Sequence, residues 1–322
     1  MANKSSFLRQ ELKRLQPLMT DDLVEIDINA DGQVWFENRG DIHMRLAEFK
    51  VDENYMRELA TQITTNANEP MSKNNPVISV SLEFDEWLIR ALVVAPPAIR
   101  KGYSISIRFH KIHTELIKPS FLYGEPRSAA KERLARNNKI REFTNSGQLD
   151  KALEFCVSQK LNTIVSGGTN TGKTTVARYL QSLVSNTERI ITIESGPDLL
   201  PTQPNTVTLI SLEDDKNRQS HQLLRACMRM RPDRICLSEI IGAEAYTFIK
   251  AINTGHGGSL TTLHADTAQL AIDRMTQLCL ETTTGMNFEQ MKDHIEKSID
   301  LVIHVGRDGK SRGIVEMYLP GQ

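Results

Sequence analysis

The chain has 322 residues, of which 39% are hydrophobic and 25% charged, and its 39 basic and 40 acidic side chains leave a formal net charge of −1. This composition excludes a disordered chain, and the charge balance argues against a protein that is basic all over and coats nucleic acid. The 6% of aromatic residues disfavours a protein that stacks on bases, and the length predicts two domains.

Residues 1–120 have the pattern of a small α+β domain. Leucines at spacings of three and four predict an amphipathic helix over 7–19, and we favour its docking on its own domain over its lying on an anionic membrane surface. The turn at Asp31-Gly32 predicts a hairpin between two short strands. The other predicted elements of this part are a helix over 52–66 and strands over 76–82, 88–95 and 104–109.

Residues 121–143 are predicted to be an interdomain linker with some helix, because a charged stretch with little apolar periodicity follows several helix-breaking residues. Residues 144–322 read as a second domain in which strands alternate with helices, a pattern typical of a parallel sheet covered by helices. Strands are predicted over 161–166, 189–194, 206–211, 234–238 and 258–263, helices over 148–159, 172–185, 218–229, 243–253 and 267–280, and a final hairpin over 300–305 and 313–319.

A glycine-rich phosphate-binding sequence, GGTNTGKT, spans residues 167–174 between a predicted strand and a predicted helix. Its backbone N–H groups and the start of the helix can surround an anion, Lys173 can reach the β- and γ-phosphates, and the Thr174 hydroxyl can bind Mg²⁺. The predicted nucleotide-binding residues are Gly167, Gly168, Thr169, Asn170, Thr171, Gly172, Lys173, Thr174 and Thr175.

Two predicted strands end in a glutamate, Glu194 and Glu239. Because the carboxyl ends of parallel strands line the ligand crevice, we expect both carboxylates beside the phosphates, where they could hold Mg²⁺ through water or orient an attacking water. His256 and His264 flank a further strand, and their imidazoles could donate to a phosphate oxygen; metal binding is the other interpretation, although no cysteine or acidic cluster lies nearby.

The order of these motifs resembles that of the secretion-ATPase superfamily of type II and type IV secretion and type IV pili. The resemblance covers about residues 145–285: the phosphate loop, the strand ending at Glu194, the MRMRPDR segment before Glu239, and the stretch from His256 to His264. In the N-terminal part, Glu25 and Asn29, the segment from Arg90 to Pro97, and the strand ending at Arg108 resemble the VirB-type traffic ATPases of type IV secretion systems.

This resemblance implies a RecA-like P-loop NTPase domain, a smaller N-terminal domain, and a homohexamer with nucleotide bound between the two domains. It implies an ATP- and Mg²⁺-dependent motor that energises assembly of, or substrate transfer through, a type IV secretion or conjugation machine. The implied roles are Walker A for Lys173 and Thr174, Walker B for Glu239, the acidic box for Glu194, the histidine box for His264, and terminal-phosphate contacts for Arg90 and Arg108.

Three positions depart from the family pattern. Ser195 follows Glu194 where Asp is usual, Ser238 replaces the glycine before Glu239, and Ile241 stands where an arginine is common. These departures leave open a nucleotide-gated assembly scaffold with little turnover. A pilus-retraction-type ATPase is the nearer alternative within the superfamily. A RecA-like nucleic-acid translocase is disfavoured by the charge balance.

The cysteines and the hydropathy of the chain indicate the cellular compartment in which we expect the protein. The four cysteines form no CxxC pair, which fits a reducing cytosol and disfavours the zinc-bearing type II branch. No signal peptide or apolar stretch near 20 residues is visible, so membrane association is expected to be peripheral. We therefore expect a cytoplasmic protein at the inner membrane, with other type IV secretion components and a transported protein or nucleoprotein as partners, and no sequence-specific binding of nucleic acid.

Overall fold

The computed structural model describes residues 4–111, 118–282 and 285–321, and within them the chain forms two sheets. A smaller N-terminal α+β domain precedes a RecA-like C-terminal domain with a mainly parallel sheet, as the sequence predicts. No helix in the described part of the chain is both long and apolar enough to cross a membrane. The predicted boundaries at residues 120 and 143 stay a prediction.

The N-terminal sheet is antiparallel, with strand order β3-β2-β1-β6-β5-β4 in the described residues. Its strands are β1 (Leu23–Ile28), β2 (Gln33–Asn38), β3 (Arg45–Lys50), β4 (Val77–Phe84), β5 (Trp87–Val94) and β6 (Ser104–Lys111). One face packs on helices α1 (Lys4–Leu12) and α2 (Glu53–Asn66) and forms the core of this domain. The opposite face carries the polar side chains that meet the C-terminal domain.

The N-terminal helix docks on its own domain, because Leu8, Leu12 and Leu15 are all buried in that core. It is shorter than the predicted span of 7–19. The α-helix ends at Leu12 and a 3₁₀ helix continues over Lys13–Leu18, which contains Pro17. A proline lacks the N–H of an α-helical hydrogen bond and its ring clashes with the carbonyl four residues earlier, so the α-helix cannot continue there.

The C-terminal sheet has the strand order β13-β12-β7-β11-β10-β8-β9 among the described residues, parallel except for the β12–β13 hairpin. Its strands are β7 (Thr163–Ser166), β8 (Ile190–Glu194), β9 (Thr206–Ile210), β10 (Arg234–Leu237), β11 (Leu260–Leu263), β12 (Leu301–Asp308) and β13 (Ser311–Tyr318). The helices are α3 (Ala129–Asn145), α4 (Leu149–Ser158), α5 (Lys173–Ser182), α6 (Ser220–Cys227), α7 (Glu244–Ile252), α8 (Ala268–Leu280) and α9 (Phe288–Ser298). Every strand and helix predicted here is present.

Two elements were not predicted, β3 and α9. Strand β3 buries only Ala47, so its alternation is too weak to stand out from a loop. Helix α9 buries few apolar residues, but its start carried a signal: Asn287 and Gln290 form a reciprocal capping box at its N-terminus. The helical part of the predicted linker is α3, which is mostly exposed but buries Asn137 and Ile140.

The two domains of one chain share a buried contact. Arg189, at the start of β8, is fully buried, and its guanidinium lies 3.3 Å from the equally buried Asp27 of β1. The same guanidinium donates to the side-chain oxygens of Asn29 and Asn205. At the β9 edge, the Ile210 N–H donates to the Ala98 carbonyl. A charged and hydrogen-bonded seam therefore joins the N-terminal domain to the residues just before β8 and β9 and to the last residue of β9.

Candidate functional site

The phosphate loop follows β7 and leads into α5, so it lies at the carboxyl edge of the C-terminal sheet. Gly167 must be glycine for steric reasons, because a Cβ there would lie 2.5 Å from the Val305 carbonyl oxygen and 2.6 Å from Thr171 Oγ1. Gly172 precedes α5 with a φ of +102°, which favours glycine. The Thr171 hydroxyl donates to the Gly168 carbonyl and closes the loop.

Lys173 begins α5, and its ammonium group lies inside the loop. Its Nζ donates to the carbonyl oxygens of Gly167 at 3.1 Å and Gly168 at 3.0 Å, and the residue is only 8% exposed. Burial lowers the pKa of Lys173, and the negative charge of Glu239 opposes that shift. Thr174 is half-buried and Thr175 exposed in the same helical turn. The ammonium of Lys173 therefore lies against the backbone of the loop.

Glu239 and His264 lie beside the Lys173 ammonium, His264 in contact with it and Glu239 in contact with His264. His264 Nε2 is 2.9 Å from Glu239 Oε1, and the His264 ring lies 3.2–3.3 Å from Lys173 Nζ. With the ring proton on Nε2, His264 donates to Glu239 and offers Nδ1 as acceptor to Lys173. We call these three residues the lysine cluster. Glu239 and His264 are partly exposed, so their polar atoms are open to a ligand.

Glu194 has a different environment. Its carboxylate is 2% exposed and accepts hydrogen bonds from the backbone N–H groups of Asp198 at 2.6 Å and Leu199 at 2.9 Å, and from the Thr192 hydroxyl at 3.2 Å. In this structure Glu194 therefore holds the loop after β8.

His256 is not brought to the phosphate loop, contrary to the sequence-based expectation. It precedes β11, and β11 runs parallel to β7 with Leu260 opposite Thr163. His256 thus lies at the amino edge of the sheet, whereas the phosphate loop lies at the carboxyl edge. Its Nδ1 lies 3.1 Å from the Ala251 carbonyl at the end of α7. The sequence already placed the two histidines on either side of this strand, and in a parallel sheet only His264, which follows the strand, lies at the edge that carries the phosphate loop.

Arg90 and Arg108 lie side by side on β5 and β6, where they are direct cross-strand partners. Arg108 donates from Nε and Nη2 to Glu25 Oε2 at 2.8 and 2.6 Å. Both arginines line a cleft of about 310 Å³, which we call the arginine cleft. The cleft is formed by Ser79, Ser81, Arg90, Ala91, Leu92, Arg108, Met228 and Arg229.

The arginine cleft and the phosphate loop of one chain lie at opposite edges of the C-terminal sheet. Met228 and Arg229 precede β10, at its amino end, and Arg229 Nη1 donates to Ser79 Oγ at 2.6 Å. The phosphate loop follows the carboxyl end of β7, and β10 and β7 both run parallel to β11. Arg90 and Arg108 are therefore not brought to the phosphate loop of their own chain.

Glu244 is a residue of this region that the sequence did not single out. It is 4% exposed, and its Oε1 accepts the N–H groups of Ile241 at 2.5 Å and Gly242 at 2.8 Å. It thereby fixes the turn between Glu239 and α7. A signal was available, since an acidic residue in the first turn of a helix often binds free N–H groups.

The comparisons with known proteins agree with this geometry. Residues 130–309 match the family model described as "Type II/IV secretion system protein". The chain is 30% identical to the type IV secretion system protein VirB11 of Brucella suis biovar 1, over 95% of this chain and 88% of that protein. It is also 30% identical to the type IV secretion system protein PtlH of Bordetella pertussis, over 95% and 93% of the two chains.

A solved structure is similar over nearly the whole chain. It is the crystal structure of the VirB11 ATPase from the Brucella suis type IV secretion system in complex with sulphate. The TM-score is 0.84 at 27% identity, and 97% of each chain is covered. The similarity therefore includes both domains and their relative position.

Proposed function

Because the chain belongs to the type II/IV secretion system protein family and is a P-loop ATPase, we propose that it is a Mg²⁺-dependent hexameric motor of a type IV secretion or conjugation machine. The observation that carries the proposal is the meeting of Lys173, Glu239 and His264 at one phosphate loop. These residues come from three separate strand–helix connections, and together they provide a cation, a carboxylate and an imidazole at the place where phosphates would bind.

Each residue of the lysine cluster has a chemical task in this proposal. Lys173 exchanges its carbonyl and imidazole partners for the β- and γ-phosphate oxygens. Glu239 orients the attacking water, directly or through the metal, and His264 then donates to the γ-phosphate. Glu194 is proposed to assist through the loop that it holds.

The residues present fit a Mg²⁺ ion held together with a nucleotide. The Thr174 hydroxyl is in the first turn after the loop, and the Glu239 carboxylate is partly exposed beside His264. In the described part of the chain no cluster of three or more His, Cys, Asp or Glu could bind a metal by itself. Mg²⁺ commonly uses one or two protein oxygens and substrate phosphates, and it would neutralise charge that develops on the β- and γ-phosphates.

A ring of several copies is proposed because one chain does not complete the site. Arg90 and Arg108 lie at the edge of the sheet opposite the phosphate loop, so only a second copy could bring such arginines to it. Arginines there would stabilise negative charge on the terminal phosphate in the transition state. Six copies with the two kinds of domain in separate rings is the arrangement implied by the family.

The enzyme assignment is tested with Lys173→Ala. We expect wild-type protein to hydrolyse ATP only with Mg²⁺, and the variant to lose about 100-fold or more in turnover, because the ammonium that contacts the β- and γ-phosphates is gone. The measurement is phosphate release at saturating ATP. Lys151→Ala is the matched control, since Lys151 is exposed on α4, where its ammonium donates to the Gln148 side chain. Equal turnover of wild type and Lys173→Ala would overturn the assignment.

Assembly is tested by mass measurement in solution. We expect hexamers with ATP and Mg²⁺, and retention of hexamers in Glu239→Gln, which should bind nucleotide but turn it over slowly. A monomer under every condition would contradict the ring. The proposed place of action is the cytoplasmic face of the inner membrane, beside other type IV secretion components and the transported protein or nucleoprotein. A salt-removable association with inner-membrane vesicles would support it.

A further inference from the structure

One line of charged side chains crosses the N-terminal sheet. The strand register pairs Glu37 with Glu25, Glu25 with Arg108, Arg108 with Arg90, and Arg90 with Ser81. Cross-strand partners lie on the same face of a sheet and are close enough to interact. This line ends in the arginine cleft on one side and at the seam between the two domains on the other.

Arg108 binds Glu25 on one side and lines the arginine cleft on the other. Its Nε and Nη2 are bound to one carboxylate oxygen of Glu25, at 2.8 and 2.6 Å, while its side chain is 45% exposed and lines the arginine cleft. The guanidinium has five N–H donors in a rigid plane. Two bonds to Glu25 therefore fix the plane and leave the remaining donors for a second anion.

Glu25 itself cannot move to another partner easily, because it is 1% exposed. Burial raises its pKa to about 7, the nearby negative charge of Asp27 adds to that effect, and the positive charges of Arg108 and Arg189 oppose it. Glu37 is its cross-strand neighbour on β2 and is paired with Arg231 at 2.5 Å. The positive charges of Arg108 and Arg189 thus limit the rise in the pKa of Glu25 that burial causes.

Arg90 and Arg229 complete the cationic side of the cleft. Neither takes part in an ion pair within the described residues, and Arg229 is held by the Ser79 hydroxyl. A 310 Å³ cleft with three guanidinium groups and two serine hydroxyls is suited to a phosphate group. Arg108 is the only one of the three whose orientation is fixed by a buried carboxylate.

We propose that Glu25 is a positioning residue that orients the Arg108 guanidinium toward the terminal phosphate of ATP bound in the phosphate loop of a second copy. The inference rests on the proposed function, in which Arg108 contacts that phosphate. Glu25 touches no substrate; it acts by holding Arg108. Glu37, the cross-strand partner of Glu25, pairs with Arg231, and Asp27, two residues from Glu25 on β1, pairs with Arg189, so Glu25 lies beside both ion pairs between the domains.

The test compares Glu25→Gln with Arg108→Gln and with the double variant in steady-state ATP hydrolysis. We expect Arg108→Gln to lower kcat/KM about 100-fold and Glu25→Gln about tenfold. In the Arg108→Gln background, Glu25→Gln should cause no further loss, because a residue that acts through Arg108 has no effect without it. Glu86→Gln is the matched control, since Glu86 is an exposed carboxylate that pairs with Lys111 on the same β6 strand.

A pH profile separates positioning from a general effect on folding. Wild-type kcat/KM should rise as the pH passes upward through about 7, as Glu25 ionises and binds Arg108. Glu25→Gln should lack this limb of the profile. Arg108→Lys, at a largely exposed position, gives a second variant that should fold and should also lose it, because an ammonium cannot bind the carboxylate and the phosphate in one plane.

The outcomes are distinguishable. If Arg108→Gln hydrolyses ATP as wild type does, the proposed contact of Arg108 with phosphate is wrong. If Arg108→Gln is impaired while Glu25→Gln keeps the wild-type kcat/KM and pH profile, Glu25 does not position Arg108. Losses that multiply in the double variant would also overturn the proposal, because they would mean that the two residues act independently.

Discussion

At the residue scale, the surroundings of Lys173 define what the phosphate loop can do. The Lys173 ammonium contacts two loop carbonyls and the His264 ring, and the residue is nearly closed to water. Burial lowers the pKa of Lys173, and phosphate oxygens would supply negative charge that favours its protonated form. His264 contacts both Lys173 and Glu239. We therefore expect nucleotide binding at Lys173 to change the contacts of Glu239, the proposed catalytic carboxylate.

The first glycine of the loop gives a residue-scale prediction. Gly167→Ala places a methyl group 2.5 Å from the Val305 carbonyl oxygen, so β12 and the loop must separate. We expect about 1–3 kcal/mol less stability and at least tenfold weaker nucleotide binding. Thermal unfolding and titration with a fluorescent ATP analogue measure the two effects.

Gly168→Ala is the control for that substitution. A methyl group at Gly168 meets only the Thr171 Cγ2 at 3.7 Å, an ordinary contact. We expect Gly168→Ala to retain most of its nucleotide affinity. Similar losses in both variants would contradict the steric explanation, since they would point to a general need for flexibility in the loop.

At the scale of elements, connections between strands and helices hold the site. The loop after β8 is held by Glu194, and the turn before α7 by Glu244, each through two backbone N–H groups. A buried carboxylate that accepts two N–H bonds fixes a short loop more firmly than backbone contacts alone, because charge-assisted hydrogen bonds are stronger. The partly exposed Glu239 depends on the second of these loops for its position.

The element-scale prediction concerns Glu244. Glu244→Ala removes the acceptor for the Ile241 and Gly242 N–H groups, so the turn after Glu239 loosens. We expect a loss of about 2 kcal/mol in stability and a lower kcat with little change in KM for ATP. Denaturant unfolding and steady-state kinetics provide the measurement. The control is Glu154→Ala, an exposed glutamate on α4; equal kinetics of the two variants would rule out a role of Glu244 at the site.

At the scale of the whole molecule, the seam between the domains determines which edge of the sheet the arginine cleft faces. Asp27 and Arg189 are both fully buried, and Glu37 pairs with Arg231 nearby. Burial raises the pKa of Asp27, and the positive charge of Arg189 opposes this shift. Breaking a buried pair leaves one charge without compensation, so the seam favours one arrangement of the two domains.

The whole-molecule prediction is a double-mutant cycle on this pair. Asp27→Asn or Arg189→Met alone should cost about 3–5 kcal/mol, because each leaves an unpaired buried charge. The double variant should cost clearly less than the sum of the two. Thermal unfolding at pH 8 measures the cycle. Asp21→Asn, which breaks the exposed pair with Lys111, should change little; additive losses in the Asp27–Arg189 cycle would show that the two residues are not coupled.

The alternation of strands and helices and the phosphate loop were predictable from the sequence, because both depend on neighbours within about ten residues. Spacing alone places Lys173 and Thr174 at the start of a helix, and strand-end glutamates at one edge of a parallel sheet. Strand β3 was missed because only one of its residues is buried and its alternation is weak. Helix α9 was missed although its apolar residues have helical spacing and its N-terminus carries a capping box.

By itself, the sequence determined the two-domain α/β architecture, the ATPase chemistry of residues 167–174 and the likeness to secretion ATPases. Only the tertiary structure decided that Glu194 holds a loop and that Arg108 is bound by Glu25. The physical reason is distance along the chain. Glu25 and Arg108 are 83 residues apart, and strand order and domain packing, which no local pattern encodes, bring them together.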